Sequence, residues 1–309
     1  MATVQDIRRR VRSVTNTRKI TKAMELVAAA KLRRAQARIE AMRPFADRML
    51  ELMAGTARAS SSVRRLPLHQ QRDQVETVAI VAITGDRGLA GAFNAQVLRQ
   101  AIALERRLGR EGVGVRWLAV GRKGGSSLRF RRYEVEQAWT GFTNQPTYAD
   151  AQAIARKLAE LYSSGDVDRV TIVYNEFESA LVQRVTVRDV LPISEDVLAA
   201  GTDGEDDAHA AALRGDFIYE PEPEEILARL LPVYLETEIF RALLESAASK
   251  HGAQMTAMRN ASSNAGELID SLTLAMNRAR QAEITQEILE VVAGADALTA
   301  LAGSESGVR

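Results

Sequence analysis

A glycine-rich loop is the part of this sequence that most resembles a site for chemistry. Gly85–Asn94 (GDRGLAGAFN) follows an apolar, strand-like run and precedes a helical one, where a phosphate-binding loop would lie. It lacks the Gly-Lys-Ser/Thr ending of a P-loop, and its spacing departs from G-x-G-x-x-G. Its three glycines therefore favour a tight strand-to-helix turn, and a nucleotide-using enzyme stays open as an alternative.

The other residue types that support catalysis show no productive spacing. His69, His209 and His251 are far apart, and none has a second ligand at helical spacing. The paired carboxylates towards the C-terminus have the i, i+4 spacing of a solvated helix face. The chain contains no cysteine, which excludes disulfides and thiol chemistry. The sequence therefore predicts no catalytic residue, no cofactor-binding residue and no metal ligand.

Charge is distributed unevenly although the net charge is only +1. Residues 1–57 carry thirteen Lys and Arg against five acids, whereas residues 194–225 carry one Arg against eleven acids. A basic helix of this kind could bind DNA phosphates, so a coiled-coil nucleic-acid-binding protein is a second alternative. Because the basic residues share their helix with an apolar seam, a solvated face or a face meeting acidic protein loops is favoured. No apolar run reaches the roughly 18 residues of a membrane span.

The elements that would position these residues begin with one long helix over residues 1–57, a stretch rich in helix formers. Its apolar residues recur at alternating steps of three and four, which is the spacing of a coiled coil. Ile20, Met24 and Val27 fall out of step, which predicts a local stutter. Pro44 either bends this helix or ends it at Arg43. The regular positions are Val4, Ile7, Val11, Val14, Leu32, Ala35, Ile39, Met42, Ala46, Met49 and Met53.

A second long helix is predicted over residues 221–302. It opens at Pro221-Glu222-Pro223, a combination that suits a helix N-terminus, and it repeats the three-and-four spacing. The first helix is joined to the central region by its C-terminal end and the second by its N-terminal end. We therefore expect an antiparallel coiled coil in which Ala2 lies near Ala279. Residues after about Arg280 then have no intramolecular partner. Residues 303–309 are predicted to form a disordered tail.

The central region, residues 75–220, has the pattern of an α/β domain. Apolar runs alternate with helical ones, which predicts a doubly wound and mostly parallel sheet of the Rossmann-like kind. The acidic stretch 194–216 is predicted to be a solvated loop. The predicted strands and helices are Val78–Thr84, Val115–Val120, Arg169–Tyr174 and Val182–Val190, and Asn94–Leu108 and Tyr148–Tyr162.

Three blocks of sequence resemble the γ subunits of F-type ATP synthases, in the order that the family has them. They are Ile20–Arg34 (ITKAMELVAAAKLRR), Gly85–Asn94, and Ser271–Ile288 (SLTLAMNRARQAEITQEI). The resemblance extends from about Val4 to Leu298. It departs locally, for example at Ser249–Met255 (SKHGAQM), where relatives usually carry an acid and an arginine.

The resemblance implies a non-catalytic rotor, the central stalk that couples proton flow to ATP synthesis or hydrolysis. It implies one copy per complex, with the α and β subunits of the catalytic ring, the ε subunit and the membrane c-ring as partners, and no nucleic acid or small-molecule ligand. It also implies a peripheral location on the cytoplasmic face of a bacterial cell membrane, through the complex.

The resemblance also implies which residues meet the partners. The residues expected to contact β subunits are Met24, Lys31, Arg33, Arg34, Arg280, Gln281, Thr285 and Glu287. An apolar stripe beyond the end of the first helix is expected to turn in a bearing formed by other subunits. Its residues are Ile284, Ile288, Val291 and Leu298.

Overall fold

A computed structural model describes residues 3–59, 66–72, 74–180, 182–195, 197 and 221–305 of the protein, with side chains up to residue 296. The chain forms two compact units, Met1–Leu26 with Met258–Arg309, and Val27–Ala257. The helices are α1 (Val4–Ala59), α2 (Phe93–Arg110), α3 (Arg122–Phe130), α4 (Tyr148–Ser163) and α5 (Pro223–Glu305). The strands are β1 (Thr77–Ile83), β2 (Gly114–Val120), β3 (Val135–Trp139), β4 (Arg169–Phe177) and β5 (Gln183–Leu191).

The second unit contains a five-stranded sheet in the order β3-β2-β1-β4-β5. β1 is parallel to β2 and β4, and β2 is parallel to β3, whereas β4 and β5 are antiparallel. In the central register, Val78 lies between Val115 and Arg169. The predicted fold class is therefore confirmed, although α3 and β3 had no counterpart among the predicted elements.

Both faces of this sheet are covered, as a doubly wound fold requires. Alternate residues of a strand point to opposite faces, so Val78 and Ile80 of β1 pack against α2 and α3. Ala79 and Val81 instead pack against α4 and α5. Burial on both sides explains why β1 is apolar from Val78 to Ile83 rather than alternating in polarity.

The seam of α1 is more regular than its apolar residues suggested. Ile20 and Val27 are 60% and 54% exposed, so the predicted stutter is wrong. The buried positions in that interval are Thr21, Glu25 and Ala28. They continue the three-and-four spacing to Leu32, so two polar residues occupy the seam there and the heptad pattern is unbroken.

The long helices pair in antiparallel directions within each unit. In the first unit, Arg18 lies against Gly266 and Glu25 binds Arg259, so residue numbers fall on α5 as they rise on α1. These contacts lie within about one helical turn of the predicted register. In the second unit, Leu32 packs with Ala248.

Several predicted boundaries differ from the structure. α1 continues through Pro44, so the alternative in which the helix ends at Arg43 is wrong. α5 reaches Glu305, so residues 303–305 are helical rather than part of a disordered tail. Residues 306–309 and most of the acidic stretch 194–216 lie outside the described residues, and the division of the chain at residues 57 and 221 stays a prediction. Within the described residues, no helix is both long enough and apolar enough to cross a membrane.

Candidate partner-binding surfaces

The basic stretch near residue 31 forms an exposed face on α1 in the second unit. Leu32 is only 4% exposed and packs with Ala248 of α5, which fixes this turn of the helix. Lys31, Arg33 and Arg34 are exposed on the same turn. None of these three cations pairs with a carboxylate among the residues that the structure describes. Their charges are therefore available to an acidic partner.

A buried carboxylate bridges the two long helices in the first unit. Glu25 is 6% exposed and accepts hydrogen bonds from Lys22 Nζ at 3.0 Å and from Arg259 Nε at 3.1 Å. These hydrogen bonds outweigh burial and lower the pKa of Glu25. Met24, which was predicted to contact a partner, is half-buried beside this bridge. Glu25 was missed from the sequence, where its only signal was an acid three residues after Lys22.

The polar residues predicted to contact a β subunit lie on the exposed end of α5. Arg280, Gln281, Thr285 and Glu287 are all exposed, and so is every other residue from 280 to 296. Thr285 Oγ1 donates to the carbonyl oxygen of Gln281 at 2.8 Å, so this hydroxyl is satisfied within the helix. The remaining polar groups of the set face solvent.

An apolar stripe shares this part of α5. Ile284, Ile288 and Val291 are 45%, 57% and 72% exposed. The side chain of Leu298 lies outside the described residues. Exposed apolar patches are commonly sites of interaction with other molecules, and the role of this stripe as a bearing stays a prediction. Leu289 and Val292 are also exposed beside the stripe.

A buried carboxylate, Asp86, ties the loop Gly85–Asn94 to the start of α3 and to the loop after β3. Asp86 is 9% exposed and accepts hydrogen bonds from the N–H of Arg122 at 3.0 Å and from the N–H and hydroxyl of Thr143 at 3.1 and 2.8 Å. Burial raises the pKa of Asp86, but hydrogen bonds from Gly141, Thr143 and Arg122 outweigh it, so the pKa is lowered. Because Arg122 is the first residue of α3, the chain's own carboxylate takes the helix end that a phosphate would use.

A buried pair of basic residues on α5 packs against the same loops. Lys250 is 1% exposed, and its Nζ donates to Asn144 Oδ1 at 2.5 Å. A Cβ at Gly85 would lie 3.0 Å from Lys250 Cε, so the glycine leaves room for this side chain. Burial lowers the pKa of Lys250 to about 8. His251 is 2% exposed, its Nε2 lies 3.2 Å from the carbonyl oxygen of Asn144, and burial lowers its pKa to about 4.

The two histidines that the structure describes, His69 and His251, each lie at hydrogen-bond distance from a backbone carbonyl oxygen. His69 Nδ1 lies 2.6 Å from the carbonyl oxygen of Ile193, and His251 faces Asn144. His209 lies outside the described residues. In the described part of the chain, no group of three potential ligands could hold a metal ion.

Comparison with known proteins decides the family. The family described as ATP synthase matches residues 3–298. A protein named ATP synthase gamma chain from Rubrobacter xylanophilus is 45% identical over 300 residues, which cover 97% of this chain and 100% of that protein. The chain belongs to the ATP synthase gamma-chain family. Another gamma chain, from Moorella thermoacetica, is 46% identical over 298 residues and covers 96% of this chain and 100% of its own length.

Chains in solved ATP synthase structures also resemble this gamma chain in fold. The Tetrahymena thermophila mitochondrial ATP synthase structure of the central stalk and c-ring has a chain with 27% identity and a TM-score of 0.56. The match covers 79% of this gamma chain and 99% of that chain. A chain in the Euglena gracilis OSCP/F1/c-ring structure has a TM-score of 0.65 over 96% of this chain and 95% of its own, at 20% identity, which shows the fold alone.

The residues predicted to contact partners in this gamma chain fall into groups that are each continuous on one helix. Lys31, Arg33 and Arg34 share one exposed face of α1, and the residues from Arg280 to Glu287 share one exposed stretch of α5. Which subunits these groups contact stays a prediction. The comparisons give no support to a nucleic-acid-binding function.

Proposed function

We propose that this gamma chain is the non-catalytic rotor of an F-type ATP synthase, coupling proton flow through a membrane c-ring to ATP synthesis or hydrolysis on β subunits. The observation that carries the proposal is the last described part of α5. Over residues 280–296 it is exposed at every position and bears an apolar stripe. A helix of this kind needs a sleeve made by other chains.

The catalytic ring of α and β subunits is the proposed sleeve. Ile284, Ile288, Val291 and Leu298 would turn in an apolar bearing. Full burial of each side chain contributes about 1.5–3 kcal/mol, and this gain is similar at every angle of rotation because apolar contact is not directional. The bearing would therefore hold the shaft without fixing its orientation.

The polar residues beside the bearing would supply the dependence on angle. Arg280, Gln281, Thr285 and Glu287 can form hydrogen bonds to one β subunit at a time, because hydrogen bonds require defined geometry. Each orientation of the shaft would then stabilise a different conformation of each β subunit by differential contact energy. Rotation would carry these preferences from one subunit to the next.

The basic face of Lys31, Arg33 and Arg34, with Met24, would contact acidic loops of β subunits. Charged groups across an interface set its specificity and rate of formation more than its total affinity. The sheet domain would contact the ε subunit and the c-ring. The gamma chain would thereby be held peripherally at the cytoplasmic face of a bacterial cell membrane, one copy per complex.

Charge reversal tests this function. The triple variant Lys31→Glu, Arg33→Glu, Arg34→Glu should assemble with the other subunits, since an exposed basic face contributes little to folding. Proton pumping per ATP hydrolysed should fall, because the contact that transmits orientation is weakened. The matched control reverses the exposed arginines of α2, Arg106 and Arg107.

Two measurements on purified complexes in vesicles decide the outcome, namely subunit composition and pumping relative to ATP hydrolysis. A triple variant that pumped like the control with full assembly would contradict the proposed role of the basic face. A gamma chain that hydrolysed ATP by itself would contradict the non-catalytic assignment.

A further inference from the structure

The turn after α3 presents an aromatic side chain to solvent among arginines. Phe130, the last residue of α3, is 90% exposed. Arg129, Arg131 and Arg132 surround it in the sequence, and residues 122–133 contain no acid. In the described part of the chain, none of these arginines pairs with a carboxylate. We call residues 129–132 the Phe130 turn.

The backbone of the Phe130 turn is fixed rather than loose. Arg132 N–H donates to the carbonyl oxygen of Arg129 at 2.9 Å, and Tyr133 N–H donates to that of Leu128 at 3.1 Å. These two bonds form a Schellman motif, in which the helix end is closed by a residue in the left-handed region. Leu128 is fully buried, and the Tyr133 ring lies 5.3 Å from that of Trp117. Phe130 is therefore held outward by a rigid support.

An arginine occupies the position in this motif where glycine is favoured. Arg132 has a φ of 66°, a conformation in which a side chain is strained and which glycine adopts freely. The fold alone would be better served by glycine. A guanidinium at this position is explained if its charge is used outside the fold.

We propose that the Phe130 turn is a docking surface for another protein subunit of the same assembly. The partner surface would be acidic and would contain an apolar pocket that receives the Phe130 ring. Aromatic residues and arginines are the types enriched at the centres of protein interfaces. Arginine also binds carboxylates through paired hydrogen bonds, which fits the unpaired guanidinium groups of the turn.

The geometry favours a protein over a membrane surface. A helix that lies in a lipid interface presents a continuous apolar face. On α3, the other apolar side chain, Leu128, is buried in the sheet domain, so one ring is exposed. A single projecting ring with a rim of arginines suits one pocket.

This inference rests on the proposed assembly but not on the coupling role of the basic face or of the end of α5. Phe130 is replaced by p-benzoylphenylalanine, and the assembled complex is irradiated and digested for mass spectrometry. The expected product joins Phe130's position to a peptide of another subunit that contains Asp or Glu. The yield should fall roughly tenfold in the background of Arg129→Glu with Arg131→Glu. The matched control, Arg106→Glu with Arg107→Glu on α2, should leave the yield unchanged.

A third variant separates binding from folding. Arg132→Gly should raise the melting temperature of the isolated chain, because it relieves the left-handed residue, and should lower the crosslinking yield, because it removes a charge. Crosslinking to lipid, crosslinking only within the gamma chain, or a yield unaffected by the arginine variants would each overturn the proposal. Pumping assays on the same complexes report separately on the rotor function.

Discussion

Lowering the pH through 6.5 should destabilise this gamma chain because His251 must then take up a proton in a site built for the neutral ring. Nε2 faces the carbonyl oxygen of Asn144 and therefore carries the hydrogen. Nδ1 is buried and has no partner among the protein atoms described. A proton on Nδ1 would lack an acceptor, and Lys250, Lys31 and Arg34 add repulsion to the burial.

The magnitude follows from the two pKa values of His251. Burial lowers the pKa from 6.5 in the unfolded chain to about 4 in the folded chain. Between these values the unfolded chain binds the additional proton, so stability is fully present above about pH 6.5 and is lost as the pH falls towards 4. Each pKa unit corresponds to about 1.4 kcal/mol, so the loss due to His251 is roughly 3 kcal/mol.

Urea unfolding followed by circular dichroism at several pH values between 4 and 8 measures this loss. Buried carboxylates such as Asp86 also lose stability in acid, so the informative quantity is the difference from His251→Gln. Glutamine can donate the same hydrogen bond to Asn144 but does not titrate. Between pH 7 and pH 4, the free energy of unfolding of the wild-type chain should decrease by roughly 3 kcal/mol more than that of the variant. Parallel curves would refute the reasoning.

Other predictions concern the fold, the end of α5 and the glycine-rich loop. Gly121→Ala should lower the free energy of unfolding by at least about 3 kcal/mol, because Gly121 has a φ of 90° and a Cβ there would lie 2.3 Å from a carbonyl oxygen of the loop after β1. Gly109→Ala on α2, which has open space around it, is the control, and equal urea midpoints would contradict the argument. Deleting residues from Ala293 onward should reduce the yield of assembled complex but leave ATP hydrolysis partly intact. Arg280→Ala or Gln281→Ala should instead change the hydrolysis rate with assembly preserved. A deletion that abolished hydrolysis in fully assembled complexes, together with silent point variants, would exclude the division into an apolar bearing and a polar contact. Calorimetric titration of the isolated chain with MgATP should show no binding, and micromolar affinity would reopen the nucleotide hypothesis.

The sheet could be predicted from the sequence wherever its strands are buried on both faces. Thr77–Ile83 and Arg169–Phe177 are continuous apolar or β-branched runs over most of their length, and such runs indicate a covered parallel sheet. The edge strand Val135–Trp139 was missed, because its residues are only partly buried and include a charge. The polarity pattern of this short segment does not distinguish a strand from a loop.

The helix α3 was missed because glycine usually indicates a turn. Gly124 and Gly125 lie inside it. Their presence has a packing reason, since a Cβ at Gly124 would lie 2.6 Å from Thr84 Oγ1. The close approach of helix and strand is a tertiary property that no local pattern expresses.

The candidate surfaces could be predicted as exposed, but their partners could not be derived from the residues. Lys31 and Arg33 look the same whether solvent or an acidic loop covers them, and the resemblance supplied the distinction. The seam of α1 shows a related limit. Thr21 and Glu25 were not recognised as seam residues because they are polar. Burial of Glu25 is favourable only when Lys22 and Arg259 donate to it, and Arg259 lies far away in the sequence.

The contact between Glu25 and Arg259 also constrains the order in which the chain can fold. The two residues are 234 positions apart. At a synthesis rate of 5–20 residues per second, roughly 10 to 50 seconds pass between the emergence of one residue and the other. During that interval the seam of α1, including Leu32 and Met53, has no partner helix, and an unpaired apolar seam is prone to aggregate. The sheet domain lies between the two helices in the sequence, and the core that its sheet forms with α2 and α3 can be buried first. Its other face packs against α5, so that face and the coiled coil can be completed only after α5 has been made.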